Sequence, residues 1–425
     1  MRHKKYRVHL STWAVPAVYA AVALAAGLTF PRFESRIFPG LVHPASVAVA
    51  IALYSSIASG MLAMTAIVFS LTFVMVQFSA TAYSPRLVLW VARDRVLSHS
   101  LGVFTATFLY ALAALGGVAR DGSETVPFIS AYVVVGLLLA SVAMFIALVH
   151  RITLLQVNRM LIFTGDQGRK VIATIYPSMK SEVTAIVTDD FRALPQTQTL
   201  IHRGRPRSVQ AVDVVALVSL AKASGGTIEM VVAVGDTIVE LMPVVHVFGA
   251  REPVDERKLR DTIELGAQRT FEQDPKYAIR LLVDISIKSL SPAINDPTTA
   301  VQALDQIEDL LLRLGQRHLE IGKYRDSDGK LRLVIPFPTW DDLVRLAFNE
   351  ICFYGATSVQ VMRRMNALVA DLTQAVPEER RATLKYWRGR LRTTVARSFA
   401  DGEERLDASK EDRQGFGIPR QHSSE

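Results

Sequence analysis

The feature that most constrains this chain is an uncharged apolar stretch covering residues 47–84. It contains no Asp, Glu, Lys, Arg or Pro. A helix needs about 20 predominantly apolar residues to cross the hydrocarbon core of a bilayer, so this stretch is nearly twice as long as required. A helix of a water-soluble core rarely continues so far without a charge. We therefore predict a membrane-spanning helix with extra turns, which ends where Pro85 disfavours helical backbone.

Polar side chains on this predicted helix fall into two stripes. Thr65, Thr72 and Ser79 recur every seven residues and form the first stripe. The second stripe lies roughly 150° away around the helix and includes Gln77. An amide in hydrocarbon needs hydrogen-bond partners, whereas Ser and Thr can bond to a carbonyl of their own helix. We predict that the first stripe and Gln77 face another helix or a wet path; the alternative is that the hydroxyls bond only to their own helix.

Three further apolar segments are long enough to cross a bilayer. Together the four predicted spans cover about residues 10–30, 47–84, 101–119 and 126–149. The first span follows several basic residues and resembles a signal peptide in that respect. Because its length of about 20 residues exceeds the usual apolar core of a signal peptide, about 7–15 residues, we expect it to be retained rather than cleaved.

The distribution of Lys and Arg predicts the orientation of the spans. The segment before the first span is basic, and Arg86, Arg93 and Arg95 lie in the loop after the second span. The two loops on the other side carry fewer basic residues. Because basic loops stay in the cytoplasm, both termini are predicted to be cytoplasmic. The three arginines are candidates for contact with lipid phosphates, although the orientation rule explains them without that role.

The composition also restricts the classes of function. The net charge of +8 is explained by cytoplasmic loops and anionic lipid, and no nucleic-acid-binding motif is present. Cys352 is the single cysteine, and the histidines lack metal-ligand spacing, so no metal or cofactor is expected. No motif of a nucleophile, phosphate loop or dinucleotide site occurs, which argues against an enzyme. No Asp, Glu, Lys or Arg lies within the predicted spans, which argues against a proton-driven pump.

The part of the chain after residue 150 is predicted to be a cytoplasmic α/β domain, mostly helical with a small β-sheet or half-barrel. Two strands are expected to meet in a hairpin at Gly235-Asp236. Asp-Pro pairs predict helix starts at Pro275 and Pro297, and a single helix is expected from Trp340 to about residue 370. The predicted divisions are a transmembrane domain (1–150), a helical connector (151–196), a β-rich subdomain (197–250), a helical subdomain (251–400) and a disordered polar tail (401–425).

A loop with the sequence SPAINDP lies between the two helices that begin with Asp-Pro. Its hydroxyl, amide and carboxylate groups offer ligands for a cation or a partner backbone. The alternative is that Asp296 only caps a helix and the proline only turns the chain, and the same alternative applies to Asp274. The candidate residues of this region are Asp274, Ser291, Asn295 and Asp296.

Two sequence blocks carry a resemblance to a known family. They are FSLTFVMVQFSATAYSPRLV (69–88) and EQDPKYAIRLLVDISIKSLSPAINDPTTAVQALD (272–305). Both resemble domain-of-unknown-function family 2254, a group of predicted bacterial membrane proteins. The resemblance covers nearly the whole chain. It implies that the protein is located in the inner membrane and has no known enzyme activity. The chain departs from the family at Arg205-Pro206-Arg207, where the family usually has a small turn containing Gly.

These observations lead to two hypotheses of function. The first is an oligomeric passive pore or ion channel, with a wall that includes the stripe of Thr65, Thr72 and Ser79 and with a regulatory cytoplasmic domain. The second is a membrane-anchored sensor or scaffold whose cytoplasmic domain binds a ligand or partner through the SPAINDP loop. Both place the chain in a lipid bilayer and predict self-association; the ion or small ligand stays unknown.

Overall fold

The computed structural model describes residues 14–37, 42–43, 46–82, 95–120, 126–152, 157–179 and 190–417. The chain divides into two compact units, residues 1–156 and residues 157–425. Each unit is built around its own set of packed elements.

The described residues of the first unit form four long apolar helices and one short strand pair. All four helices are long and apolar enough to cross a membrane, which confirms the prediction of four such helices. The strands β1 (Val42–His43) and β2 (Val126–Pro127) pair antiparallel. The helices are α1 (Ala14–Ile37), α2 (Val47–Ala82), α3 (Arg95–Arg120) and α4 (Phe128–Ile152).

Helix α3 is the centre of this unit because it packs against α1, α2 and α4. The approach of α1 to α3 is close enough to require a glycine. A Cβ atom at Gly27 would lie 2.8 Å from the Cβ atom of Ala113, which is inside any ordinary contact distance. Small residues at such crossings allow apolar helices to pack tightly without a large side chain between them.

The second unit combines nine helices with two small sheets in its described residues. Its strands are β3 (Gln196–Ile201), β4 (Arg207–Val212), β5 (Thr227–Met230), β6 (Thr237–Ile238), β7 (Pro243–Phe248), β8 (Ile263–Gly266), β9 (Lys323–Arg325) and β10 (Leu331–Val334). Its helices are α5 (Val157–Ile175), α6 (Val214–Ser224), α7 (Glu256–Asp261), α8 (Pro275–Ser289), α9 (Pro297–Gly315), α10 (Trp340–Tyr354), α11 (Val359–Ala375), α12 (Glu378–Ser398) and α13 (Gly402–Ser409).

The sheets join segments that are distant in sequence. One sheet has the strand order β3-β7-β5-β10-β9, and the other has the order β6-β4-β8. Strands β8, β9 and β10 therefore extend the sheets beyond the β-rich segment expected at residues 197–250. The buried core between these strands and α6 includes Leu217, Ile228, Val245 and Leu333.

The prediction of a two-residue hairpin at Gly235-Asp236 is wrong. Strands β5 and β7 do pair antiparallel, but residues 231–242 connect them. Gly235 and Asp236 lie in the middle of this connection, and the adjoining strand β6 pairs with β4 in the other sheet. The turn thus links two sheets rather than two neighbouring strands.

The helices of the second unit pack mainly through α8, α9 and α11. The predicted starts of α8 at Pro275 and of α9 at Pro297 are confirmed. The single helix expected from Trp340 to about residue 370 is instead two helices, α10 and α11, which are separated at Gly355. Ser358 caps α11 by accepting a hydrogen bond from the backbone N–H of Val361, and such a cap begins a new helix.

The prediction of a disordered tail from residue 401 is wrong for residues 402–417, which fold against α11. Arg363 holds this segment, because its guanidinium donates to the carbonyl oxygens of Asp407 at 2.7 Å and Gly415 at 3.3 Å. Arg413 adds two contacts of 2.6 Å to the carboxylate of Asp371. Polar contacts rather than apolar burial order the segment, which is why its composition suggested disorder. The rest of the predicted tail, residues 418–425, lies outside the described residues.

Candidate functional site

The long helix α2 has a packed side and an outward side. On the packed side, Tyr54, Ile57, Met61 and Val68 are buried against the neighbouring helices. The opposite side, about 180° around the helix, is exposed and carries mostly small or polar side chains, with Phe73 and Val74 as large apolar members. Its exposed members are Ala52, Ser56, Ser59, Ala63, Ser70 and Gln77.

The first predicted stripe lies beside the packed side of α2. Thr65 and Thr72 are half-buried, and each hydroxyl donates to the carbonyl oxygen four residues earlier at 2.7 Å. Their hydrogen-bonding capacity is therefore used within the helix. Ser79 belongs to α2, but its side chain lies outside the described set. Gln77 belongs to the outward side, so the structure separates it from the threonines.

A second polar feature lies inside the first unit, where one residue from each of the four helices contributes a buried polar group. Glu34 of α1 is 3% exposed, although the first predicted span ended at about residue 30. Helix α1 continues through Pro31 to Ile37, which brings this carboxylate inside the unit. The other members are Tyr54 of α2, Tyr110 of α3 and Ser130 of α4.

Glu34 caps the first turn of α4. Its carboxylate accepts hydrogen bonds from the backbone N–H groups of Ile129 and Ser130, the second at 2.9 Å. The first N–H groups of a helix have no partner within the helix and carry partial positive charge, so a carboxylate from another helix stabilises them. This residue thereby ties the end of α1 to the start of α4.

Three buried hydroxyl groups lie around Glu34. Those of Tyr54, Tyr110 and Ser130 form no hydrogen bond of normal geometry within the described residues, although Tyr110 and Ser130 interact with each other. Both tyrosines lie within electrostatic range of Glu34. Because buried hydroxyls need partners, this polar cluster is suited to ordered water. Sequence reasoning missed this group, since its members lie on four separate helices.

In the second unit, Asp274 lies at the junction of the sheets and the helices. Its side chain is 1% exposed and accepts a hydrogen bond of 2.7 Å from Nε of Arg269. It also caps α8 through the backbone N–H of Lys276 at 3.1 Å. Burial raises the pKa of Asp274 above its ordinary value, although Arg269 and Lys276 act in the opposite direction.

The turn at Gly235-Asp236 packs onto this carboxylate. A Cβ atom at Gly235 would lie 2.0 Å from Oδ2 of Asp274, so no side chain fits there. The Asp236 carboxylate accepts from the ammonium of Lys276 at 3.1 Å. Gln273 bonds to both backbone groups of Val212, accepting from its N–H at 3.0 Å and donating to its carbonyl oxygen at 3.3 Å. The QDP sequence therefore fastens the sheets to α8.

The SPAINDP loop is a compact connection between α8 and α9. Asp296 caps α9 by accepting from the backbone N–H of Thr299 at 3.1 Å. Asn295 adopts a positive φ of 49°, a conformation that Asn tolerates better than most residues. Ser291 is half-buried, and its carbonyl oxygen accepts from the N–H of Asn295 at 2.9 Å. These contacts give Asn295 and Asp296 structural tasks, and the structure does not bring the loop to Asp274.

The three arginines proposed to contact lipid are only partly described. Arg86 and Arg93 lie outside the described residues. Arg95 is the first residue of α3, and its side chain is not among those described. Their role in lipid contact stays a prediction. In the residues that the structure describes, no group of His, Cys, Asp and Glu is arranged to hold a metal ion.

These features define a class of protein: a chain with four helices able to cross a membrane, joined to a unit of helices and small sheets. The family follows from comparison with known sequences. The chain belongs to the family described as "Predicted membrane protein (DUF2254)", whose model matches residues 9–371. This result confirms the resemblance carried by the two sequence blocks.

Known relatives and structures give no activity. The uncharacterized proteins Mb1321c of Mycobacterium bovis and Rv1290c of Mycobacterium tuberculosis are each 25% identical over 410 residues. The matched region covers 93% of this chain and 78% of each relative. No solved structure matches this chain.

Proposed function

We propose that the protein is an oligomeric passive pore of the inner membrane, with both termini and the second unit in the cytoplasm. Copies of the chain would meet along the outward side of α2, and a narrow polar path would run between them. The observation that carries this proposal is the exposed set of small and polar side chains opposite the packed side of α2.

The chemistry of this side favours contact with protein and water over contact with lipid. Ser56, Ser59 and Gly60 are exposed near the start of α2, and small residues allow two helices to approach closely in a membrane. Ser70 and Gln77 continue the same side toward the other end. Because lipid tails offer no hydrogen bonds, a side with exposed polar groups is more stable against protein or water than against lipid.

The dimensions and charge of α2 are compatible with a pore. A helix of 36 residues extends about 54 Å, whereas the hydrocarbon core of a bilayer is about 30 Å thick. The helix can therefore cross the bilayer and continue beyond it. Since α2 contains no Asp, Glu, Lys, Arg or His, the path offers no such group to couple transport to a proton. This supports passive conduction rather than active transport.

Disulfide crosslinking tests the assembly. The variant Ser70→Cys places a thiol on the outward side of α2, and the native Cys352 is buried and does not compete. We expect oxidation in native membranes to give a crosslinked dimer. The matched control is Phe69→Cys, which is also exposed (52%) at the same depth but lies about 100° around the helix. Equal crosslinking of the two variants would contradict self-association through the outward side.

Conduction is tested separately with purified protein in planar bilayers and liposomes. We expect a current that Ser70→Leu and Gln77→Leu reduce, because both changes replace polar groups of the path by apolar ones. The control Ile67→Leu changes an exposed apolar residue (62%) on the same helix and should leave the current unchanged. Crosslinking at Ser70 without any current under varied voltage and ions would refute the pore and favour a membrane-anchored scaffold.

A further inference from the structure

The exposed side of α12 is the most basic surface among the described helices. Between residues 380 and 400 the chain has seven Lys and Arg residues and no Asp or Glu. Three of these cations, Lys385, Arg390 and Arg397, line an open groove of about 430 Å³. The remaining lining residues are Tyr386, Gly389, Thr393 and Thr394.

The groove cations differ from most arginines of the second unit in having no acidic partner. Arg280, Arg364 and Arg413 each pair with a carboxylate on another element. In contrast, Lys385 and Arg397 form no ion pair within the described part of the chain. Arg390 lies over the ring of Trp387, 5.1 Å from its centroid, and likewise has no carboxylate partner among the described residues.

The spacing of these cations is unfavourable for an isolated helix. Arg381 and Lys385 are four residues apart, and so are Arg388 and Arg392. Like charges at this spacing lie next to each other on a helix and destabilise it. Most basic helix faces are simply solvated and carry compensating acidic residues at neighbouring positions. Glu411 pairs with Arg388 at 3.8 Å and Glu378 lies three residues before Arg381, so part of this repulsion is offset. The cations Lys385, Arg390 and Arg397 have no such carboxylate within the described residues.

Exposed aromatic side chains accompany the cations. Tyr386 is 60% exposed within the groove, and Phe353 at the end of α10 is 76% exposed. Helices α10 and α12 run in the same direction, because Phe348 packs on Trp387 and Cys352 contacts Thr394. Phe353 directly follows Cys352 in the chain, so it lies near the end of α12 that carries Arg397. Aromatic rings next to Lys and Arg are typical of surfaces at the interface of a membrane.

We propose that this surface of α12 binds the phosphate headgroups of anionic phospholipids. Lys385, Arg390 and Arg397 supply the positive charge, and the exposed rings of Tyr386 and Phe353 insert at the headgroup level. Charge complementarity favours an anion, and the exposed rings favour a lipid over a soluble phosphate. The inference requires that the chain is bound to a membrane, but it does not require that the chain conducts ions.

The test uses the full chain in nanodiscs, with a fluorophore at Gly389→Cys and a nitroxide quencher on a fraction of the lipid headgroups. A side chain at Gly389 meets no atom within 4 Å, so the label fits. The parent chain, whose single Cys352 is buried, is the labelling control. We expect stronger quenching in phosphatidylglycerol discs than in phosphatidylcholine discs, and a loss of this difference at high salt.

Charge neutralisation gives the decisive comparison. Each basic residue near an anionic surface changes the binding constant about fivefold. The variant K385Q/R390Q/R397Q should therefore lower the ratio of lipid-bound to unbound groove about 100-fold. The matched control R203Q/R205Q/R207Q removes three exposed cations elsewhere in the second unit and should keep the quenching.

Two results would overturn the proposal. One is equal quenching in the two lipids. The other is that inorganic phosphate, compared with chloride at the same ionic strength, abolishes the quenching in phosphatidylglycerol discs; that would assign the groove to a soluble phosphate compound instead. Both readouts are independent of ion conduction, so a failure of the pore proposal is distinguishable from a failure of this one.

Discussion

The pair Arg269–Asp274 leads to an asymmetric prediction: removing the arginine should destabilise the second unit far more than neutralising the aspartate. The side chain of Asp274 is 1% exposed, whereas that of Arg269 is 23% exposed. An aspartate left without its arginine would be a buried charge that only Lys276 offsets. A neutral side chain at position 274 would leave a cation that still reaches water.

The magnitudes follow from burial and capping. Breaking a buried ion pair by removing one partner costs about 3–5 kcal/mol, and we expect about 3 kcal/mol for Arg269→Gln because the cap from Lys276 remains. Up to about 1 kcal/mol of this loss is the contact of Arg269 with the ring of Tyr277. Asp274→Asn should change stability by less than about 1 kcal/mol, because Asn caps helices as well as Asp does.

The pH dependence gives an independent check. Burial raises the pKa of Asp274 above its ordinary value of 3.8. For an acid with a raised pKa in the folded state, stability is highest below the ordinary value and falls as the pH rises through the raised value. Arg269→Gln removes a group that lowers the pKa of Asp274, so this pKa rises further. The pH range over which stability falls becomes wider as a result. The stability lost by Arg269→Gln should therefore return in part as the pH falls toward about 4.

The assay is urea unfolding of the full chain in nanodiscs, followed by the fluorescence of the buried Trp340 and Trp387 after replacement of Trp13 and Trp90 by Phe. The double variant R269Q/D274N should recover about 2 kcal/mol relative to R269Q alone, because no unpaired charge remains. The control Asp296→Asn changes another Asp-Pro cap that has no arginine partner among the described residues. If Asp274→Asn proved as damaging as Arg269→Gln, the pair would be net stabilising and the reasoning would be refuted.

Three further predictions concern single contacts. Gly235→Ala should lower the free energy of unfolding by about 3 kcal/mol, because the φ of Gly235 is +91° and a Cβ atom there would meet Asp274. The control Gly329→Ala, at a φ of +76° with open space around it, should lower it by about 1 kcal/mol. Equal urea midpoints for the two variants would contradict this prediction. Glu34→Gln should lower the melting temperature of the first unit, because an amide accepts hydrogen bonds through one oxygen only and leaves one N–H group of α4 unsatisfied. The control is Thr29→Val, which removes only a hydrogen bond to the carbonyl oxygen of Ala25. Arg363→Gln should speed amide hydrogen exchange in residues 402–417, while the exposed pair partner Arg345→Gln should not; unchanged exchange would show that the tail is held by other contacts.

Local signals in the sequence predicted local structure well. The Asp-Pro pairs mark the first turns of α8 and α9 because an aspartate cap and a proline at the first helical position act within one turn. The uncharged stretch predicted α2 because length and apolarity are properties of a single segment. Interactions between segments were not predicted. The connection around Gly235 looked like a hairpin turn, since sequence alone does not show that β6 pairs with another sheet.

The candidate site divides in the same way. The sequence identified the polar residues of α2 and the QDP and SPAINDP segments. It did not show that Thr65 and Thr72 lie beside the packed side while Ser70 and Gln77 lie on the outward side. Nor did it show that α1 continues through Glu34 or that the Glu34 carboxylate caps α4, because its hydrogen-bond partners lie about 95 residues away in the chain.

The sequence by itself determined single elements of this protein: four helices able to cross a membrane and the starts of α8 and α9. It also carried the resemblance to the family. Their hydrophobic length and capping residues act over one or two turns, so neighbouring residues are sufficient to specify them. Only the tertiary structure decided which polar groups are buried together, as with Glu34 and the two tyrosines or Asp274 and Arg269. The free energy of a buried charge depends on groups that other segments bring to it, and no single segment contains that information.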